Sequence, residues 1–178
     1  GTPEWVGLEN YIKAFTNDEY FYQYFGNTFY FAIVLVPVVL VISLFLAILI
    51  NKKVGKLTKA YRVALFLPSI TSTVAVSMVW LWIFNPDMGI LNNFLTAIGF
   101  HNPPMWLSDP EWSKPALIIM RVWQMSGYYM LLFLAGLQTI PETLYEAAEV
   151  DGASSWQRFT RITVPMLSNT TFVVVILL

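Results

Sequence analysis

The sequence has no cysteine and a single histidine, His101. The first absence excludes disulfide frameworks, thiolate-bound zinc, iron–sulfur clusters and thiol nucleophiles. The second leaves no residues for a multi-histidine metal site or for Ser-His-Asp chemistry. Charge is scarce too. Asp, Glu, Lys and Arg make up 12% of the 178 residues, about half of what covers a soluble domain. With 57% hydrophobic residues and a mean hydropathy of +0.60, this is not the composition of a soluble enzyme. The net charge of -1 offers no basic surface for nucleic acid. No P-loop occurs either: Gly55-Lys56 is followed by Leu57 and lacks the upstream glycine, so the chain cannot cradle ATP phosphates.

What is present is a set of long apolar runs separated by segregated charges. Residues 27–51 carry no charge and are long enough to cross about 30 Å of hydrocarbon. Further spans are expected at 63–84 and at 115–140, the latter interrupted only by Arg121. A fourth begins at 166–178 and is too short to finish a crossing as given, so the chain is expected to be truncated. Pro37 and Pro68 are expected to kink the first two spans.

Orientation follows from the basic residues. The loop 52–62 holds Lys52, Lys53, Lys56, Lys59 and Arg62 without an acid, which marks it as cytoplasmic. The segment 1–26, with Glu4, Glu9, Asp18 and Glu19, and the loop 85–114, with Asp87, Asp109 and Glu111, then lie outside. The segment 141–165, with Arg158 and Arg161, returns inside. Residues 1–26 lack the basic start and apolar core of a signal peptide. An external start without a means of crossing suggests an earlier span, making the chain an internal fragment of an all-α polytopic membrane protein with about four spans.

The segment 141–165 is unusually ordered for a loop. Pro141 suits a first helical turn, Glu142 and Glu146 complement a helix N-terminus, and Ala147 and Ala148 give a small-residue face. A short helix to Val150 is expected, ended by Gly152 in the left-handed conformation. Ser154 and Gln157 then have the spacing of a capping box. The second helix carries Trp156, Phe159 and Ile162 and is expected to close at Pro165. A partner backbone can approach such a face closely, and Glu146 and Asp151 can pair with its cations. Taken alone, the same pattern also describes an interfacial hairpin whose acids are merely solvated.

Glu146-Ala147-Ala148, Asp151-Gly152-Ala153, Ile162 and Pro165 together resemble the EAA loop of permease subunits in binding-protein-dependent ABC importers. Gly7-Leu8-Glu9-Asn10-Tyr11, Asn27-Thr28, Asn85-Pro86 with Gly89, Leu91-Asn92 and Trp106-Leu107 extend the likeness to the carbohydrate type over nearly the whole chain. The resemblance implies a type I importer permease fold with six or so spans in a full-length member, in a bacterial or archaeal plasma (inner) membrane. It implies that these eight loop residues couple to an ATPase. The implied partners are a second permease, two ATPase subunits that bind ATP and Mg, and an external solute-binding protein. The chain itself is expected to hold no cofactor and to catalyse no reaction. The alternatives are a permease for an amino acid, oligopeptide or glycerol phosphate, an intramembrane enzyme, or a non-transporting scaffold.

Sugar recognition needs aromatic faces and a few polar groups. Trp80, Trp123, Gln124, Tyr128 and Tyr129 are the candidates for the solute pathway. Gln124 and Tyr128 serve equally well for hydrogen bonds between helices. For Arg121, six residues past Pro115, snorkelling to the external interface or pairing is favoured over solute contact. Trp82, Trp106 and Trp112 fit an interfacial belt, and His101 fits a surface position.

Overall fold

The structure, a computed structural model, describes residues 5–51 and 58–178. Glu4 and three of the loop lysines, Lys52, Lys53 and Lys56, lie outside the described residues. Every regular element among the described residues is helical. A short α1 (Glu9–Thr16) precedes α2 (Phe21–Asn51), which begins six residues before the expected span. Pro37 lies inside α2 without breaking it. At about 46 Å, α2 is one of two helices among the described residues long and apolar enough to cross a membrane; the other is α6 (Pro110–Gln138).

The expected span 63–84 is not one helix. It is α3 (Thr58–Ile70) and α4 (Thr73–Ile83), bent by 99° across Thr71 and Ser72. Pro68 has no N–H to contribute to the ladder of α3. Just beyond it, the hydroxyls of Ser69 and Thr71 bond back to the carbonyls of Phe66 (2.7 Å) and Leu67 (2.9 Å), which competes with continuation of the helix. Ser72 then takes an extended ψ of 132° and α4 starts afresh.

α2 and α6 run in the same direction. Lys114 Nζ sits 5.3 Å from the Tyr30 ring at one end, and the Ser43 hydroxyl donates to the Ser126 carbonyl at 3.1 Å midway. Between them are buried Val39 and Ala47 of α2 with Val122, Met130 and Phe133 of α6. Lipid is as apolar as these side chains, so close packing rather than water exclusion holds such helices together. α3 runs antiparallel to α6 and touches it backbone to backbone: a Cβ on Gly127 would fall 1.9 Å from the Leu65 carbonyl oxygen.

The expected external loop 85–114 contains α5 (Ile90–Ala97) and the first turn of α6. Buried Asn92 organises it, donating to the Pro86 and Pro104 carbonyls at 3.1 and 3.3 Å and accepting from Trp106 Nε1 at 2.7 Å. Trp106 is therefore not a belt residue. It is 7% exposed and packs with Phe84 and Ala116, whereas Trp82 and Trp112 are exposed and so is His101.

Beyond α6 come α7 (Glu142–Val150) and α8 (Ser155–Arg158). The second arm ends at Met166, one residue past the expected closure at Pro165. A π turn at Phe159–Thr163 leads into α9 (Val164–Met166), with Pro165 in its first turn. Pro165 has no N–H for the Arg161 carbonyl, and the ladder widens upstream, Val164 N–H reaching the Phe159 carbonyl. The chain bends by 61° at Leu167 into α10 (Ser168–Leu177). α10 runs antiparallel to α6, where the Tyr129 hydroxyl donates to the Leu177 carbonyl at 2.9 Å.

Candidate functional site

Two groups of residues stand out, one on the α7–α8 hairpin and one at the α3–α4 break. In the hairpin, Gly152 has φ +74°. Its N–H donates to the Glu149 carbonyl (3.0 Å) and that of Ala153 to the Ala148 carbonyl (2.8 Å), which closes a Schellman motif. Ser154 and Gln157 then form both bonds of a capping box, 2.7 Å and 3.3 Å. The turn between the two helices is thus fixed on both sides by backbone donors.

The fold gathers Ala148, Asp151, Gly152, Ala153 and Ile162 around a concavity of ≈ 340 Å³. Glu146, Ala147 and Pro165 lie outside its lining and are exposed. Glu146 and Asp151 form no ion pair within the described residues, whose one salt bridge joins Arg158 Nη1 to Glu149 Oε2 at 2.8 Å. That bridge links the two arms of the hairpin, and a Tyr145 to Thr163 hydroxyl contact of 2.9 Å links α7 to the π turn. Both pairs escaped sequence reasoning, being nine and eighteen residues apart across a turn whose geometry had first to be known. The hairpin also shares a cleft with Ile48 and Asn51 of α2 and Leu137 of α6. It therefore rests on the ends of the two continuous helices.

The solute-pathway candidates are split. Trp80 and Trp123, with ring centroids 5.7 Å apart, line an apolar groove together with Pro68 and Gly127. Gln124, Tyr128 and Tyr129 face a separate polar pocket of ≈ 250 Å³, with Ser69 and Thr73 entering from either side of the α3–α4 break. Gln124 Nε2 donates to Thr73 Oγ1 at 3.4 Å and its Oε1 accepts from Arg121 Nη1 at 3.2 Å. Tyr129 is 5% exposed and spends its hydroxyl on α10, so its first task is packing. Arg121 also lines this pocket, a residue for which the sequence favoured snorkelling or pairing over solute contact. No group of His, Cys, Asp or Glu suited to a metal occurs among the described residues.

Residues 39–178 match the family model described as "Binding-protein-dependent transport system inner membrane component". The chain belongs to this family. It is 40% identical over 162 residues to the lactose transport system permease protein LacF of Rhizobium radiobacter, covering 90% of this chain and 54% of that one. It is 39% identical over 171 residues to the xylose/arabinose import permease protein XacH of Haloferax volcanii, covering 95% and 53%. Family members of known structure have the same fold. One is a chain of a bacterial alginate ABC transporter solved with an alginate pentasaccharide-bound periplasmic protein: TM-score 0.86, 31% identity, 97% of this chain and 59% of that chain. The described residues have the all-helical fold of ABC importer permeases, in a multi-pass membrane protein. The chain spans about half the length of the curated relatives it matches.

Proposed function

We propose that this chain is part of the transmembrane permease subunit of an ABC importer that moves a sugar or related solute inward. The observation that carries the reading is the Schellman-closed, box-capped hairpin seated on the ends of α2 and α6, in a chain of this family. A partner ATPase would bind ATP and Mg and grip the hairpin at Ala148, Asp151, Gly152, Ala153 and Ile162, with Glu146, Ala147 and Pro165 on its flanks. Its closure would be transmitted as a rigid-body push to the spans. A second permease completes the pathway, and an external binding protein delivers the solute, a partner also seen with the alginate transporter. The location is the plasma (inner) membrane, with 52–62 and 141–165 in the cytoplasm. The sugar class is supported by the sugars for which LacF and XacH are named and by the Tyr128 ring among polar groups at the α3–α4 break. Within this reading Trp80, Trp123, Gln124 and Tyr128 line the pathway, and Tyr129 supports it from behind.

The test uses the full-length protein in its natural operon. The ATPase subunit is expected to copurify with it in detergent. Gly152→Trp should abolish uptake of radiolabelled sugars while Gly152→Ala, which carries the same backbone strain at φ +74°, retains most of it, since nothing lies within 4 Å of a Cβ at this position. Undiminished uptake by Gly152→Trp, or an isolated permease with no ATPase attached, overturns the coupling. Uptake of amino acids or peptides but of no sugar overturns the solute class alone.

A further inference from the structure

α6 carries a lone cation, Arg121, within its apolar stretch. The expected span begins at Pro115, so Arg121 lies six residues in, about 9 Å along the axis, and its side chain is exposed within this chain. A snorkelling arginine sends its head toward the nearer interface. Arg121 does the opposite, donating to Gln124 three residues further along the helix. No carboxylate is within ion-pair distance, because the one salt bridge among the described residues is Arg158 to Glu149. A cation at this depth persists only where something compensates it, and Gln124 supplies a dipole, not a charge. The guanidinium instead faces the polar pocket formed with Ser69, Thr73, Gln124 and Tyr128. α4 starts in the same pocket at Thr73 without a side-chain cap on its first N–H groups, so the positive end of its dipole reinforces the arginine. Arginine has five donors and no acceptor. It suits an oxyanion better than a sugar hydroxyl, which both donates and accepts.

Resting on the sugar-permease reading, we propose that Arg121 is a specificity-determining residue and that the solute passing this pocket is an anionic saccharide. Arg121 holds its carboxylate or phosphate, while Ser69, Thr73, Gln124 and Tyr128 meet the hydroxyls. Initial uptake rates by cells carrying the intact transporter test this, with radiolabelled galactobiose and xylobiose as neutral probes, digalacturonate and glucuronate as carboxylates, and glucose 1-phosphate as phosphate. The binding protein is the same in every arm, so differences between variants arise at the permease. At least one acidic probe is expected to accumulate. Arg121→Gln should lower its rate by about tenfold or more, the loss of one charged hydrogen-bonding partner. Arg121→Lys should retain part of it, and the loss in Arg121→Gln should be larger for the acidic probe than for any neutral probe that also enters. Uptake confined to neutral sugars overturns the inference and leaves the permease reading standing. So does an equal loss of neutral and acidic uptake in Arg121→Gln, which marks pairing with an acid of the second permease. If no sugar of either charge enters while amino acids do, both readings fail. Should Arg121→Gln be missing from the membrane, the charge preference of the unsubstituted transporter and of Arg121→Lys decides the matter.

Discussion

Gly127 shows how much a single position carries in a bundle held by close packing. Because a Cβ there would meet the Leu65 carbonyl at 1.9 Å, Gly127→Leu must push α3 away from α6 and open the apolar groove it lines. The expected cost is roughly 1–3 kcal/mol, read as a lower melting temperature of the full-length protein in detergent. An unshifted melting temperature would contradict the helix contact. Gly152 fails differently. Its φ of +74° makes Gly152→Ala strained by about 1–2 kcal/mol, with no steric clash to add to it. Gly152→Ala should therefore lower stability modestly, and coupling far less than the Trp variant does. Gly152 was legible in the sequence as a helix stop, from Asp-Gly-Ala after an alanine face. Gly127 was not, since nothing in Met125-Ser126-Gly127-Tyr128 says which helix lies opposite.

At the scale of elements, the hairpin and the π turn have separate tasks. The Glu149–Arg158 bridge has side chains 72% and 25% exposed, so a double-mutant cycle should return no more than about 1 kcal/mol. A coupling of several kcal/mol would show that the arms are buried against something further. The π turn at Phe159–Thr163 absorbs an extra residue in a wider turn just before the 61° bend into α10. The capping box and the Schellman turn were readable from residue spacing because each bond is local. The π turn was not, because Pro165 marks a helix end and a helix N1 position equally well. The same ambiguity hid the 99° break of α3 and α4, whose apolar run looks continuous.

For the molecule as a whole, topology can be read by thiol labelling, since an introduced cysteine is unique within these 178 residues. Lys56→Cys should react with a membrane-impermeant maleimide only in inside-out vesicles, and His101→Cys only in intact spheroplasts. Labelling of both from one side would refute the proposed orientation. The parallel course of α2 and α6 agrees with that orientation. It puts Asn51, where the basic loop begins, beside Tyr145 and Trp156 of the hairpin.

The sequence alone determined the environment, the helical class and the local form of the hairpin. These rest on composition, on charge segregation and on hydrogen bonds between residues at most six apart. Tertiary structure alone decided which candidates share a pocket. It divided Trp80 and Trp123 from Gln124 and Tyr128, gave the Tyr129 hydroxyl to α10, buried Trp106 on Asn92 and set Arg121 against Gln124. The physical reason is that an apolar helix in lipid is hydrophobic all round. Its periodicity does not reveal which face meets another helix, and that face is chosen by close fit between surfaces distant in sequence.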